Sequence, residues 1–444
     1  MPRYKNGTLS YTADTLPDPA TLPAGTSAFV DGIMVLSLNG RITRDSKKGL
    51  PGIISSRNLT HEILTTMSTA TTRGYQVWRD FSANCDVNGI DLTFANFYMA
   101  NTGVETNNAS TVTIKVGVYK HGDPFVTPVF FNGSRTYQMT AGEIVTSDKI
   151  PLSLKYGVDT GFYIRIWVSV ATTSDTICTS FIQNTKAFPT TADQWTTYRS
   201  VGAANTFPDD ITTNWNKDLG QNEFAPALVR GWSADGGAIP SVVVVGSSSA
   251  QGVGDTQQAP YYVPGYLARS LCAAKIPYFN CSETGETAAN FLGDGAAKRR
   301  KLISLCNATH SINTYGSNDV GGGATYTNVV TRLQRIEKVL RGFGTEPYFC
   351  TYTPATTSTD SWATVSNQTV QSPIRHQLSD WLRQTSGFNI IDLEAVSDSG
   401  LSSGSTYTGK WRVDLGQPTT DGMHGTAVMH TVIAASITYP SIKF

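Results

Sequence analysis

The pattern of apolar and polar positions divides the 444-residue chain into three stretches. Between about 70 and 233 the period is two. Val112, Ile114, Val116 and Val118 alternate with Thr113, Lys115, Gly117 and Tyr119. Phe162, Ile164, Ile166 and Val168 alternate with Tyr163, Arg165, Trp167 and Ser169, and Ile150, Leu152 and Leu154 repeat the pattern. Successive side chains of a strand point to opposite faces, so strict alternation predicts strands buried on one face only. Many such strands, separated by Gly, Asn and Asp turns and without a convincing helix, predict an antiparallel β-sandwich of the jelly-roll type over residues 61–236. Its exposed Tyr and Trp side chains could form a platform for sugar; the plainer reading, for Trp167 among others, is edge or interface packing.

Beyond Gly236 and Gly237 the texture changes to strand–helix alternation. Val242–Val245 is an unbroken β-branched run, as in strands buried on both faces of a parallel sheet. Val329, Leu333, Ile336 and Leu340 recur at helical spacing, with Gly342 at the position just past the helix end. Ser372 and Pro373 read as the N-cap and first position of a second helix, whose apolar face holds Ile374, Leu378, Trp381 and Leu382. Strand-like runs Tyr348–Thr353 and Phe388–Leu393 come after these helices. Residues 237–444 are therefore expected to form a doubly wound α/β domain with a mainly parallel sheet, beginning between Trp232 and Ser241. Ligands of such sheets sit beyond the carboxyl ends of the strands. Residues 1–60 are turn-rich (Pro17, Pro19, Pro23, Gly25) and hold one hairpin pattern, Ala28–Leu38, around Asp31 and Gly32. That is too little for a core and reads as an arm, an adaptor or an oligomer contact.

Composition narrows the functional classes. Lys+Arg and Asp+Glu both number 34, so the net charge is +0 and the basic excess usual for nucleic-acid or anionic-membrane binding is missing. Neither nucleic acid nor membrane is expected as a partner. The tightest apolar cluster, Val242–Val245, falls far short of the ~20 residues of a membrane span. The residues after Met1 run into a polar, Pro-rich stretch with no apolar core of a signal peptide. Six cysteines (Cys85, Cys178, Cys272, Cys281, Cys306, Cys350) are scattered without a CxxC pair and predict buried thiols in a protein made in a reducing cytoplasm. No His/Cys cluster has zinc spacing, so a structural metal is not expected.

Candidate chemistry lies in the loops after the predicted strands of the last stretch. Gly246–Asp255 directly follows Val242–Val245 and is rich in small residues, which suits an anion cradle, a serine nucleophile or a plain connection. It lacks the lysine of a phosphate loop and the glycine spacing of a dinucleotide site. A serine nucleophile needs a base, an orienting acid and an oxyanion hole. Of the six histidines, His61 and His121 lie in the β-rich part, His310 precedes a strand-like run, and His376 is expected on a solvated helix face. His430 reads as a packing or surface residue. His424 differs, because Asp421 stands three residues before it in a Gly-flanked loop; an acid so placed can reach Nδ1 and leave Nε2 to face a nucleophile. Asn318, in Tyr315–Asp319, offers a neutral amide donor on a glycine turn, and Gly285, in the loop after Ile276–Phe279, offers a backbone N–H.

Taken in order, Ser248 within Gly246-Ser247-Ser248, then Gly285, then Gly316-x-Asn318-Asp319, then Asp421-x-x-His424 resemble the motifs of the SGNH (GDSL-type) hydrolase family over about 205 residues. The resemblance implies Ser248 as nucleophile, His424 as general base and then acid, and Asp421 as its orienting partner. It implies an oxyanion hole made by the N–H groups of Ser248 and Gly285 and the side chain of Asn318. The family's Gly-Asp-Ser reads Gly-Ser-Ser here, with Ser247 in place of an aspartate that is not the triad acid. The whole arrangement of arm, sandwich and hydrolase domain resembles bacteriophage tail or receptor-binding proteins that remove O-acetyl groups from host polysaccharide, and Leu16–Val30 resembles N-terminal segments of phage structural proteins.

The function implied is a serine carboxylester hydrolase removing acyl, foremost acetyl, groups from a bacterial surface polysaccharide, without cofactor. Its expected partners are the acylated carbohydrate, other virion tail proteins and further copies of the chain; its expected location is the virion. Two alternatives stand beside it. One is a lipase or thioesterase of the same fold, disfavoured by the Ser/Gly/Thr-rich loop Ser397–Thr420 with Trp411 and Arg412, which suits a polar substrate. The other is a non-catalytic receptor-binding tail protein with a decayed hydrolase domain, which would be expected to have lost one of the site residues.

Overall fold

A computed structural model describes residues 3–5, 8–11, 27–30, 33–36, 47–58, 63–99, 103–179, 197–209, 223–256, 263–403 and 406–439. In the first stretch, Ser27–Val30 and Ile33–Leu36 pair antiparallel with Val30 opposite Ile33, and Arg3–Lys5 and Thr8–Tyr11 complete a four-stranded sheet. Most of Leu16–Val30, and His61, lie outside the described residues.

Two antiparallel sheets follow, sharing one core. The first holds Thr72–Asp80, Val112–Lys120, Gly161–Ser169 and Thr197–Val201, with Thr127–Pro128 and Thr136–Met139 beside Val112–Lys120. The second holds Val87–Ala95, Ile144–Thr146, Leu228–Ser233 and Gly52–Ile53. The alternating residues Val112, Ile114, Val116, Val118, Phe162, Ile164, Ile166 and Val168 are buried against Ile90, Leu92 and Phe94 of the facing sheet. The opposite face departs from the half-buried expectation. Arg165 is fully buried, with Nε donating to the Phe207 carbonyl at 3.1 Å and Nη1 to Gln76 Oε1 at 3.1 Å. Its guanidinium lies 4.6 Å from the Phe207 ring centroid. A polar face can be covered when its charged groups find hydrogen bonds and an aromatic face, which alternation alone does not reveal. Trp167 is packing here, its Nε1 donating to Ala203 O at 2.9 Å.

The last stretch builds a six-stranded sheet, parallel throughout, in the spatial order Asn389–Ile391, Glu346–Cys350, His310–Asn313, Val242–Val245, Tyr278–Asn280, Arg57–Asn58. All four valines of Val242–Val245 are wholly buried at its centre. From there the chain moves to one side, to Tyr278–Asn280, and then returns to the other, to His310–Asn313. That reversal of order opens a crevice at the carboxyl end of Val242–Val245. Helix Tyr326–Gly342 buries Val329, Leu333, Ile336 and Leu340 as its spacing predicts. It ends later than expected: Gly342 stays helical, and Gly344, at φ +74°, takes the left-handed position. Helix Pro373–Gln384 is capped by Ser372, whose hydroxyl accepts from the Ile374 N–H. All six cysteines are unpaired.

The two units are interlocked. The short edge strand Arg57–Asn58 comes from the stretch expected to be an arm, four residues after Gly52–Ile53 joins the sandwich. One core cluster joins Ile53, Phe97, Met99 and Leu228 to Val243, Phe279, Phe291 and Leu302. Arg230 and Asp91 form a buried fork at 2.9 and 2.6 Å, and Arg230 Nη1 reaches the Leu305 carbonyl at 2.6 Å. A two-residue strand and an ion pair between distant residues carry no periodic signal, so neither is visible in the sequence. Asp91→Ala would leave that guanidinium buried without its carboxylate, at a cost of about 3–5 kcal/mol. A clear fall in the thermal unfolding temperature of the full chain is the expected result.

Candidate active site

The crevice is where the loop after Val242–Val245 begins. Gly246 is required there by close approach: a Cβ on it would lie 1.9 Å from Thr314 Oγ1. Ser247 is extended, at φ −117°, and Ser248 opens the four-residue helix Ser248–Gln251, which ends on Gly252 at φ +100°. Ser248 is 6% exposed, and its Oγ lies 2.8 Å from His424 Nε2. Among the described residues neither Ser247 nor Ser249 makes a bond to a histidine. The flanking serines are thus separated from Ser248 by geometry.

His424 sits on a loop closed by the bridge between Thr419 and Gly425. Asp421 Oδ1 accepts the backbone N–H groups of Met423 and His424, both at 2.8 Å, and the Thr419 hydroxyl at 3.2 Å. Its other oxygen lies 2.6 Å from His424 Nδ1. With Nδ1 as donor to that carboxylate, Nε2 presents its lone pair to Ser248. Partial burial alone would push the Asp421 carboxyl up, but the His424 imidazole and the two backbone N–H groups outweigh it and hold it at about 2. Gly422 makes this turn possible: at φ +81° its missing Cβ would fall 1.9 Å from the Thr356 carbonyl. The following helix, Ala427–Ser436, has Thr426 at its N-cap, so Asp421 serves the turn and the imidazole and does not cap that helix.

The groups expected to form an oxyanion hole come from the Ser248 loop and two neighbouring loops. The N–H groups of Ser248 and Gly285 donate to no acceptor among the described residues. Asn318 Nδ2 donates to the Glu286 carbonyl at 3.0 Å, which leaves its second N–H for another acceptor. The loop carrying Gly285 is tied to the loop carrying Ser248 by Glu283 N–H to Gly246 O at 3.1 Å and by Asn280 Nδ2 to Ala250 O at 2.8 Å. Asp319, wholly buried, accepts the Ala288 N–H at 2.7 Å and Arg332 Nη1 at 2.8 Å, pinning the Asn318 turn to the segment after Gly285. Asn318→Ala is expected to lower kcat by about 10²–10³-fold with a much smaller change in KM, as for a donor engaged in the transition state. Steady-state kinetics on a small ester would show it; an effect confined to KM would make Asn318 a substrate-binding residue instead.

Among the described residues, none of the other histidines bonds to Ser248 or Asp421. His121 packs edge-on against Trp78, and His310 Nδ1 meets Thr309 Oγ1 at 2.8 Å. His376, expected to be solvated, is instead held by Glu394 Oε1 at 2.5 Å. A buried carboxylate from another helix recruits it, which the sequence around His376 does not signal. His430 is buried and neutral in role: Nδ1 accepts the Tyr266 N–H at 3.1 Å and Nε2 faces the Val253 carbonyl at 3.1 Å. Trp411 is corrected too. It is fully buried beneath the histidine loop, its Nε1 donating to Gly422 O at 3.1 Å, so it supports the turn and offers no surface to a substrate. Arg412 is engaged with Asp414 at 2.6 Å.

Arg375 escaped the sequence reading. It lies within the helix face holding Ile374 and Leu378, yet its buried guanidinium bonds to Ser317 Oγ beside Asn318 and reaches Met423 Sδ beside His424 at 3.7 Å. Burial pulls its pKa down to about 10, and no carboxylate is in hydrogen-bonding reach among the described residues. An arginine between apolar helix positions is the only signal it gives. Among the described residues no three His, Cys, Asp or Glu side chains converge as a metal site would require, and no helix is long and apolar enough to cross a membrane.

The chain matches no family model and no curated protein. Among solved structures it is similar to a GDSL-like lipase from Bacteroides thetaiotaomicron, at 12% identity over 44% of this chain and 84% of that one, with a TM-score of 0.31. It is similar to a psychrotrophic esterase from Pseudoalteromonas sp., solved with monoethylphosphonate as inhibitor, at 17% identity over 44% and 92%, TM-score 0.30. A salicylyl-acyltransferase of a tetracycline biosynthetic pathway is similar over more of this chain, 84%, and 81% of its own, at 13% identity and TM-score 0.31.

Proposed function

We propose that this chain is a serine carboxylester hydrolase that removes acyl groups, foremost acetyl, from a carbohydrate, and that it serves on a bacteriophage tail. The observation that carries the ester-hydrolase reading is the unbroken relay from Ser248 Oγ to His424 Nε2 at 2.8 Å and from His424 Nδ1 to Asp421 Oδ2 at 2.6 Å. Ser248 Oγ attacks the ester carbonyl while its proton passes to Nε2. The negative charge that develops on the carbonyl oxygen is taken by the N–H groups of Ser248 and Gly285 and by the Asn318 amide. The alcohol leaves with the proton from Nε2, giving an acyl-enzyme. Water then repeats the attack, His424 again taking and returning the proton, and the carboxylic acid departs. Every proton transfer is done by these side chains.

The substrate class and the setting are supported by sequence texture: the Ser/Gly/Thr-rich loop Ser397–Thr420 near His424, the sandwich that precedes the site, and the phage-like segment Leu16–Val30. Hydrolysis of p-nitrophenyl acetate, blocked by a serine-directed phosphonate that adds one mass increment on Ser248, is the expected result for the enzyme reading. No hydrolysis and no labelling would leave a binding protein. Mass spectrometry of acetylated bacterial polysaccharides before and after treatment tests the substrate: loss of the acetyl mass increment is expected for an acetyl ester.

A further inference from the structure

Beside Gly285 lies a residue the proposed chemistry does not use. The Glu286 side chain is wholly buried, and its carboxylate takes Arg299 Nη1 at 2.5 Å, Arg299 Nη2 at 2.7 Å and the Tyr315 hydroxyl at 2.6 Å. Its backbone carbonyl holds the Asn318 amide at 3.0 Å. One residue therefore adjoins one oxyanion donor through its own peptide bond and anchors another through its carbonyl.

Arg299 in turn is gripped from a two-stranded hairpin, Phe97–Met99 paired with Glu105–Asn107, that continues directly from sandwich strand Val87–Ala95. Glu105, in strand Glu105–Asn107, accepts Arg299 Nε at 3.2 Å and the backbone N–H groups of Arg299 and Lys298 at 2.7 and 2.8 Å. Those two N–H groups belong to the first turn of helix Ala297–Leu305, so the same carboxylate caps the helix that carries the arginine. Arg299 Nη2 also donates to the Gly103 carbonyl at 2.6 Å. Gly103, at φ +71°, lies so close to Glu286 that a Cβ would stand 2.5 Å from its Cγ. Burial alone would push the Arg299 guanidinium down, but the Glu286 carboxylate outweighs it and keeps it charged.

Burying one cation between two carboxylates is a costly way to hold two units together, since apolar packing does so at least as well. What charge-assisted, bidentate bonds add is direction. An oxyanion hole needs that, because its donors must stand within about 0.5 Å of their productive positions. We infer that Glu286 is the positioning residue of the oxyanion hole and that the hairpin Phe97–Asn107, which branches from the sandwich, holds it in place through Glu105 and Arg299. That hairpin then supports the catalytic apparatus from the N-terminal half of the chain, whatever else the sandwich binds or attaches. This inference rests on the ester-hydrolase reading above.

The test uses the full chain with Glu105→Gln and, as the milder variant, Tyr315→Phe, which deletes only the hydroxyl bonded to Glu286. On p-nitrophenyl acetate each is expected to lower kcat about 10-fold with KM nearly unchanged. Each should matter less in an Asn318→Ala background, where part of the hole is already gone. A merely structural role would instead lower the unfolding temperature while leaving the kcat of the folded fraction intact, or give equal fold-changes in both backgrounds, and either result overturns the inference. If Glu105→Gln does not fold, Tyr315→Phe decides alone. A wild-type chain that hydrolyses no ester sinks the ester-hydrolase reading and this inference with it; an active wild type with both variants unimpaired sinks this inference only.

Discussion

Ser248→Ala is expected to lower ester hydrolysis by on the order of 10⁶-fold, to what the remaining oxyanion donors achieve alone, while the chain stays folded. The Ser248 hydroxyl makes one side-chain bond, to His424 Nε2, so its removal deletes the nucleophile and little else. Circular dichroism and thermal unfolding should match the wild type, and phosphonate labelling should vanish. Ser247→Ala and Ser249→Ala are the internal controls, because both sit within one residue of the nucleophile and neither bonds to a histidine. If one of them were the dead variant and Ser248→Ala kept its rate, the relay seen between Ser248 and His424 would have no part in the chemistry.

The site was more legible in the sequence than its support, and the reason is physical. Ser248, Gly285 and Asn318 follow strands and Asp421-x-x-His424 lies in a Gly-flanked loop, so each sits within a local pattern of glycines and small residues that can be read without a partner. The alternation of Val112–Val118 and Phe162–Val168 likewise reports a core face, because side-chain direction in a strand is a local property. Support is different. Arg299 answers to Glu105, which is 194 residues away in sequence, and Arg230 answers to Asp91, 139 away. Neither partner leaves a mark around the other. The same holds for Arg165, whose burial depends on a turn at Phe207–Asp209, and for His376, whose partner Glu394 arrives on another helix. Trp411, counted in the sequence with a loop whose texture suits a polar substrate, is placed by the fold beneath the histidine turn, a contact its own neighbours do not signal.

The second large effect belongs to Asp421. In Asp421→Asn the side-chain oxygen can still accept the N–H groups of Met423 and His424, so the turn should survive. The amide NH2 would then face His424 Nδ1, where only an acceptor now stands, and the imidazole must turn its lone pair there and its proton toward Ser248. A base in that tautomer cannot take the serine proton, and kcat should fall about 10⁴-fold. The pH dependence separates this from a general loosening. Because the Asp421 carboxyl is held at about 2, below its ordinary value, it is ionised throughout the working range, and what its charge contributes is lost only as pH falls toward that value. A general base works only unprotonated, so the wild type is expected to lose activity as the pH falls. One ionisation on the acid limb of kcat/KM is expected, with activity rising as pH rises. In Asp421→Asn the rate should stay low across that whole range, since the defect is the tautomer and not the protonation state. A variant that kept most of its rate, or recovered it simply by raising the pH, would mean that Asp421 only shapes the turn and that His424 finds its orientation without it.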